Sequence, residues 1–261
     1  MKRSPISVDL STIPAQFHSF FQGAAVFDSS CSPAAKVYFV DKGPGYYLKT
    51  APGGTLQVEA EMNQFFHSKG LGAEVLAYER QEKDWMLTLR VPGEDCTHPQ
   101  YLGDPLRLCD TTAQLLRMLH DTSPAGCPIP NRTARYLSTA RRNYAAGQYD
   151  TSLFPDNWGY TTAEEAWAEI EKNGNYLQAD TLLHGDYCLP NIILDNWRFS
   201  GFIDLDAGGV GDRHVDLFWG MWSLHFNLKT DAYCDRFLDV YGRDRICEDA
   251  FRTVAAIEVF A

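Results

Sequence analysis

The sequence predicts an α+β protein of two lobes, a small antiparallel sheet followed by a mainly helical half. Three observations carry that expectation. Runs rich in Val, Tyr and Phe crowd the first third of the chain and are separated by Gly/Pro turns. A single helical pattern interrupts them. Beyond the break "VPGED" the apolar period changes from two to about 3.6. The boundary is placed there, giving lobes of residues 1–90 and 91–261.

In the first lobe, "AKVYFVD" and "GYYLKTA" read as strands joined through the hairpin turn "KGPG". "LQVEAEMNQFFHSKG" reads as a helix closed by Gly70, and "EVLAYERQEKDWMLTLRV" as two more strands about a polar turn. Strand pairs with one helix among them describe an antiparallel α+β unit. In the second lobe, "DPLRLCDTTAQLLRMLHDT" is amphipathic, with Leu108, Leu115, Leu116 and Leu119 near one face. Residues 133–150 and 162–177 continue the helical pattern, as do "HVDLFWGMWSLHFNL", "DAYCDRFLDVYG" and "ICEDAFRTVAAIEVF". Between them, "NIILD" and "FSGFIDLD" form a hairpin about "NWR".

Bulk composition narrows the function. The 261 residues are 45% hydrophobic and 13% aromatic, enough for a substantial core. A formal net charge of −11 disfavours nucleic acid and anionic membranes as partners and favours a cationic one. The seven cysteines form no C-x-x-C pair, which reads as reduced thiols and not as a disulfide framework or a zinc site. "MKRSPISVDLSTIP" lacks an apolar stretch after its basic residues, and no run reaches the ~18 apolar residues of a membrane span. A cytoplasmic protein is expected.

The chemistry concentrates in "LLHGDYCLPNIILDNWRFSGFIDLDAGG". Asp186, Asn191 and Asp204 stand beside Leu, Ile and Phe runs that belong in a core, and a buried carboxylate has to be paired, hydrogen-bonded or metal-bound. Gly185 permits a sharp loop, which places Asp186 on the loop and Asn191 and Asp204 at strand ends. Oxygen donors of this kind suit a hard cation such as Mg²⁺, whose shell is completed by water and phosphate oxygens. Taken singly, Asp186 would be a turn former, Asn191 a loop residue and His184 a core histidine. The combination is more specific: H-G-D, then Asn five residues later, then I-D thirteen residues after the Asn.

H-G-D-x-x-x-x-N followed by G-F-I-D resembles the signature of the aminoglycoside phosphotransferases, a family with the protein-kinase-like fold. "GGVGDRHVDLFWGMWSL" looks like the branch that modifies the 3′-hydroxyl. The likeness runs along the whole chain, strongly from 182 to 225. It implies that Asp186 accepts the proton of the substrate hydroxyl, that Asn191 and Asp204 bind Mg²⁺, and that Asp216 holds the backbone of the catalytic loop. His184 would support that loop. The first lobe becomes the nucleotide-binding lobe and the second the catalytic and acceptor-binding one.

A kinase-like site also requires a strand lysine on the phosphates and a helix glutamate to hold it. "YYLKT" offers Lys49. "VEAEMNQFF" offers Glu59 and Glu61, of which Glu61 matches the family position. A lone strand lysine is ordinarily a solvated one, and the downstream motif is what favours the functional role. No G-x-G-x-x-G loop is present. "DSSCSPAAKVYFV" resembles the serine-containing phosphate loop of the antibiotic kinases, with Ser32 as the contacting serine. "TLRVP" would be the hinge to adenine; it does not choose between ATP and GTP, and ATP is the default.

For a polycationic acceptor the resemblance implies carboxylates, here Asp156 in "PDNW" and Glu258 in "AIEVFA". Gly159 and Ala207 depart from an acid and an arginine often found in that branch, and Ala261 extends the usual terminus by one residue. The expected function is ATP-dependent phosphorylation of an aminoglycoside hydroxyl, with 3′ the expected position, conferring resistance. The same core would serve another small hydroxyl substrate, such as a different antibiotic, choline or an amino sugar. A pseudokinase acting as an interaction module is disfavoured, because Lys49, Glu61, Asp186, Asn191 and Asp204 are all present.

Overall fold

A computed structural model describes residues 3–150 and 160–261. The chain divides into two compact units. One runs through His98 and takes in Ile192–Asp206; the other comprises Pro99–Asn191 and Ala207–Ala261. The sequence boundary at residue 90 thus falls inside the first unit, and the segment after Asn191 returns to that unit. The return is fixed by hydrogen bonds: Cys96 N–H donates to Ile192 O at 3.1 Å and Phe202 N–H to Leu71 O at 2.7 Å.

The first unit is built on an antiparallel sheet. Its strands are β1 (Ser4–Pro5), β2 (Ala25–Asp28), β3 (Lys36–Asp41), β4 (Tyr46–Pro52), β5 (Val75–Arg80) and β6 (Lys83–Leu89), in the order β1-β2-β3-β4-β6-β5. The hairpin expected about "KGPG" joins β3 to β4, with Val40 opposite Tyr46. Side chains alternate across the sheet. Val40, Leu48, Trp85 and Leu87 therefore point to one face, where they pack with Ile13, Phe17 and Phe21. Phe17, Leu48 and Leu87 are fully buried, each contributing roughly 1.5–3 kcal/mol relative to exposure. The residues that cover this face come from two 3₁₀ turns and the short helix α1 (His18–Phe21), which the sequence reading did not anticipate. Each of these segments is too short to show a period.

Ala51 and Met86 pack on the opposite face against Leu56 and Ala60 at the start of α2 (Gln57–Ser68). Lys49 pairs in register with Met86 and so emerges on the α2 face. A second, smaller sheet joins β7 (Glu94–Asp95) to the hairpin β9–β10 (Ile192–Asp195, Arg198–Phe202). Asn196 and Trp197 form its turn with φ of 50° and 67°.

The second unit is mainly helical: α3 (Pro99–Leu102), α4 (Pro105–Asp121), α5 (Arg132–Ala145), α6 (Ala163–Asn173), α7 (His214–Leu228), α8 (Cys234–Tyr241) and α9 (Glu248–Glu258). Asp104 caps α4 by accepting from Arg107 N–H at 3.3 Å, and Pro105 occupies the first helical position. The stripe Leu108, Ala113, Leu116, Leu119 is buried, while Leu115 lies at its edge. Gly220 on α7 lets α8 approach closely: a Cβ there would stand 2.8 Å from the Phe237 ring. A two-stranded ribbon, β8 (Thr181–Leu183) with β11 (Gly209–Gly211), frames the loop that begins at His184. Among the described residues, which include all seven cysteines, no disulfide is formed. Among the described residues, no helix is long and apolar enough to cross a membrane.

Candidate active site

In the second unit the loop after β8 is organised by a fully buried carboxylate. Asp216, on the first turn of α7, accepts the N–H of His184 at 2.8 Å and that of Gly185 at 2.7 Å. His120 at the end of α4 donates from Nε2 to the same carboxylate at 3.2 Å, while its Nδ1 lies 2.8 Å from the Tyr241 hydroxyl. Burial holds the His120 imidazole below its ordinary pKa, against the pull of Asp216. The ring is therefore neutral, carrying its proton on Nε2 because a carboxylate can only accept. Asp216 matches the role the resemblance implied for it; His120 was missed, since a lone histidine ending an amphipathic stripe names no partner.

Gly185 is where the loop turns. Its φ is +86°, and a Cβ there would lie 1.9 Å from Ala207 O, so only glycine fits. The turn brings up Asp186, whose N–H donates to His184 Nδ1 at 3.3 Å. Asn191 Nδ2 donates to Asp186 O at 3.0 Å and to Asp186 Oδ2 at 2.9 Å. Both amide hydrogens of Asn191 are thereby spent on Asp186.

Asp186 lines a cavity of about 260 Å³ together with Arg132, Tyr136, Trp219, Glu258 and Ala261. Glu258, on the last turn of α9, is buried and accepts from Tyr136 Oη and, at 2.9 Å, from Trp219 Nε1. Burial pushes its carboxyl up to about 7, with the charge of Asp186 adding to the rise and the two hydrogen bonds opposing it. A larger hollow of about 790 Å³ lies in the first unit between residues 11–16 and Glu79–Trp85, but it is broad, open and distant in sequence from every motif. Asp156 and Gly159 lie outside the described residues.

In the first unit the chemistry gathers on Lys49. Its Nζ stands 2.9 Å from Glu59 Oε1, 2.8 Å from Glu59 Oε2 and 2.8 Å from Asp204 Oδ1. Burial works against the ammonium, but the two carboxylates outweigh it and raise its pKa. The partner of Lys49 is Glu59 and not Glu61, which corrects the sequence expectation. The buried face of α2 carries Glu59, Ala60, Met62, Asn63 and Phe66; Glu61 lies about 200° round the helix from Glu59 and accepts from Gln57 instead. The two acids are equivalent in sequence until the helix phase is known.

Asp204 follows β10 in a left-handed conformation, φ 61°, with half of its side chain open to solvent. Strained backbone of this kind persists only where the surroundings enforce it. Ser32 sits exposed on the loop between β2 and β3, its Oγ accepting from Ala34 N–H at 3.3 Å. Ser30 Oγ accepts from Val37 N–H at 3.0 Å and ties the same loop to β3.

Among the described residues, no cluster of three His, Cys, Asp or Glu could by itself hold a metal ion. Asn191 and Asp204 each bring a side-chain oxygen, the donor type that hard cations such as magnesium take.

Comparison with known proteins places the chain in a family. Residues 31–256 match the model of the phosphotransferase enzyme family. The chain is 48% identical over 256 residues to a probable aminoglycoside 3′-phosphotransferase of Lactococcus lactis, covering 98% of this chain and 97% of that one. It is 29% identical over 223 residues to an aminoglycoside 3′-phosphotransferase of Niallia circulans, covering 84% and 85%. The solved aminoglycoside phosphotransferase of Streptomyces rimosus superposes with a TM-score of 0.77 at 22% identity, covering 97% of this chain and 99% of that one, a likeness of fold. The α+β kinase-like architecture, the family model and the relatives converge: this chain is a member of the phosphotransferase enzyme family, similar to its aminoglycoside 3′-phosphotransferases.

Proposed function

We propose that the protein transfers the γ-phosphoryl group of ATP to the 3′-hydroxyl of an aminoglycoside and so confers resistance to it. The observation that carries this reading is the cavity lined by both Asp186 and the buried Glu258, a pairing that fits a base beside an amine-binding carboxylate. The 48% identity to a probable aminoglycoside 3′-phosphotransferase supports the choice of acceptor.

Asp186 orients the acceptor hydroxyl and takes its proton, while Asn191 fixes the carboxylate through Oδ2. Glu258 receives an ammonium of the acceptor, and Asp156 is assigned the same task. Lys49, held by Glu59, binds phosphate oxygens, and Ser32 contacts the phosphates from its loop. Magnesium, with Asn191 and Asp204 as its protein ligands, would offset charge developing on the phosphates. The rest of catalysis is alignment and charge complementarity, with no covalent intermediate on the protein.

The test is phosphorylation of purified drugs by the protein with ATP and magnesium, the product mapped by phosphorus NMR. Modification of kanamycin at the 3′ position, with none of a 3′-deoxy aminoglycoside, is the expected result. Turnover of choline or a macrolide alone would overturn the assignment.

A further inference from the structure

In the first unit the face of the sheet that carries Lys49 also carries a row of rings. Directly opposed residues share a face, and the register opposes Phe27 to Phe39, Phe39 to Tyr47 and Tyr47 to Thr88. Tyr47 stands two residues before Lys49, roughly 7 Å along β4 on the same face. Thr88 opens "TLRVP", the run expected to be the hinge to adenine. In the phosphate-binding role proposed for Lys49, a nucleotide would therefore lay its base over Tyr47 and Phe39.

A side chain of the chain itself already covers these rings. β1 pairs Ser4 with Asp28, which brings Arg3 beside the row. The Arg3 guanidinium carbon lies 3.8 Å from the Phe39 ring centroid and 5.8 Å from that of Tyr47, and Nη2 donates to Tyr47 Oη at 2.7 Å. A stacked base needs the same contact distance of about 3.5–4 Å, so base and guanidinium exclude each other. The seat is also imperfect. Arg3 Nε is buried and finds no acceptor among the described residues, and a guanidinium does not shed its proton to relieve this. Arg90, also over Phe39 at 5.9 Å, is tethered: its Nη2 donates to Gly93 O at 3.3 Å and lies 3.9 Å from Glu94. Arg3 has no such second anchor on the chain, and its long side chain regains water when it swings out.

We propose that Arg3 competes from within the chain for the nucleotide base: its guanidinium covers Phe39 and Tyr47 until a base displaces it, and so lowers nucleotide affinity. The proposal rests on the nucleotide-binding reading of Lys49 and adds a residue that sets how tightly the nucleotide is held. Each binding event breaks the cation–π contact with Phe39 and the hydrogen bond to Tyr47 before the base can stack. The phosphates, seated on Lys49, are unaffected by the exchange.

Calorimetry on the full chain with ADP and with inorganic tripolyphosphate, each with magnesium, tests it. Arg3→Ala should bind ADP about fivefold more tightly than wild type, the worth of one cation–π contact and one hydrogen bond. Tripolyphosphate, which has no base, should bind no more tightly to the variant. Tyr47→Phe keeps the ring but removes the acceptor of Arg3, and should tighten ADP by about twofold. Unchanged ADP affinity in Arg3→Ala overturns the competition. Weaker ADP binding means that Arg3 clamps the base, and overturns it too, as does an equal gain for tripolyphosphate. If Arg3→Ala does not fold, Tyr47→Phe decides the matter by the same signs. A wild-type protein that binds neither ADP nor tripolyphosphate brings down the nucleotide reading of Lys49 and the competition with it. One that binds ADP with an affinity indifferent to both substitutions refutes the competition alone.

Discussion

The motif clusters of the two units, one around Lys49 and one around Asp186, are held in opposite ways. Lys49 is fixed by charge: two carboxylates, Glu59 and Asp204, grip one ammonium, and the Asp204 side chain is half solvated. Asp186 is fixed by backbone. Its loop hangs from Asp216, which is wholly buried, receives two N–H groups and is backed by a neutral His120. The difference fits the tasks proposed for the two residues. In the proposed phosphate-binding role, Lys49 can release the half-solvated Asp204 while the buried Glu59 keeps hold of it. A base that receives a proton from one hydroxyl needs a single geometry, which buried hydrogen bonds enforce.

The comparison can be broken most directly at Asp186. Asp186→Ala should lower kcat by about a thousandfold or more while nucleotide affinity measured by calorimetry persists. Near-normal turnover would remove Asp186 as the base. Next in size, Asp216→Ala should destabilise the fold by about 3 kcal/mol in a denaturant titration, since it strands two buried N–H groups and the His120 proton. A loss well under 1 kcal/mol would mean that the loop holds its own shape.

Glu258 sharpens the same contrast through pH. Its folded pKa, about 7, lies above the ordinary 4.5, so the folded state binds the proton more readily. The stability this confers is complete below pH 4.5 and lost as pH rises through 7. Glu258→Gln escapes that loss. Relative to wild type it should gain up to about 3 kcal/mol between pH 5 and pH 8 in urea melts, the equivalent of the pKa difference. A stability difference independent of pH would contradict the buried-acid account.

The smallest effects belong to α2. Glu59→Gln should raise the KM for ATP about tenfold by loosening Lys49. Glu61→Gln should change it by less than about twofold, because its side chain reaches only Gln57. The reverse ranking would reinstate Glu61.

Much of this was legible before the structure. The strand pairs, the single helix among them and the helical second half follow from apolar periods, and the Asp186–Asn191–Asp204 spacing is the basis of the chemistry proposed. What escaped has physical reasons. Glu59 and Glu61 differ only in helix phase, which depends on packing against β4 and β6. His120 and Asp216 meet across almost a hundred residues, a contact no local pattern encodes. Tyr136 and Trp219 read as ordinary aromatics until Glu258 is seen to accept from both.

The return of Ile192–Asp206 to the sheet unit has a consequence for how the molecule is made. On the ribosome, the amino-terminal sheet emerges first, yet β7 has no strand to pair with and Lys49 lacks Asp204 until the hairpin is synthesised. Expression of residues up to His98 alone would leave that unit unfinished, whereas supplying the missing hairpin in trans or through a short linker could complete it. The gene is therefore poorly suited to division after His98, and a split-protein reporter would have to be cut elsewhere.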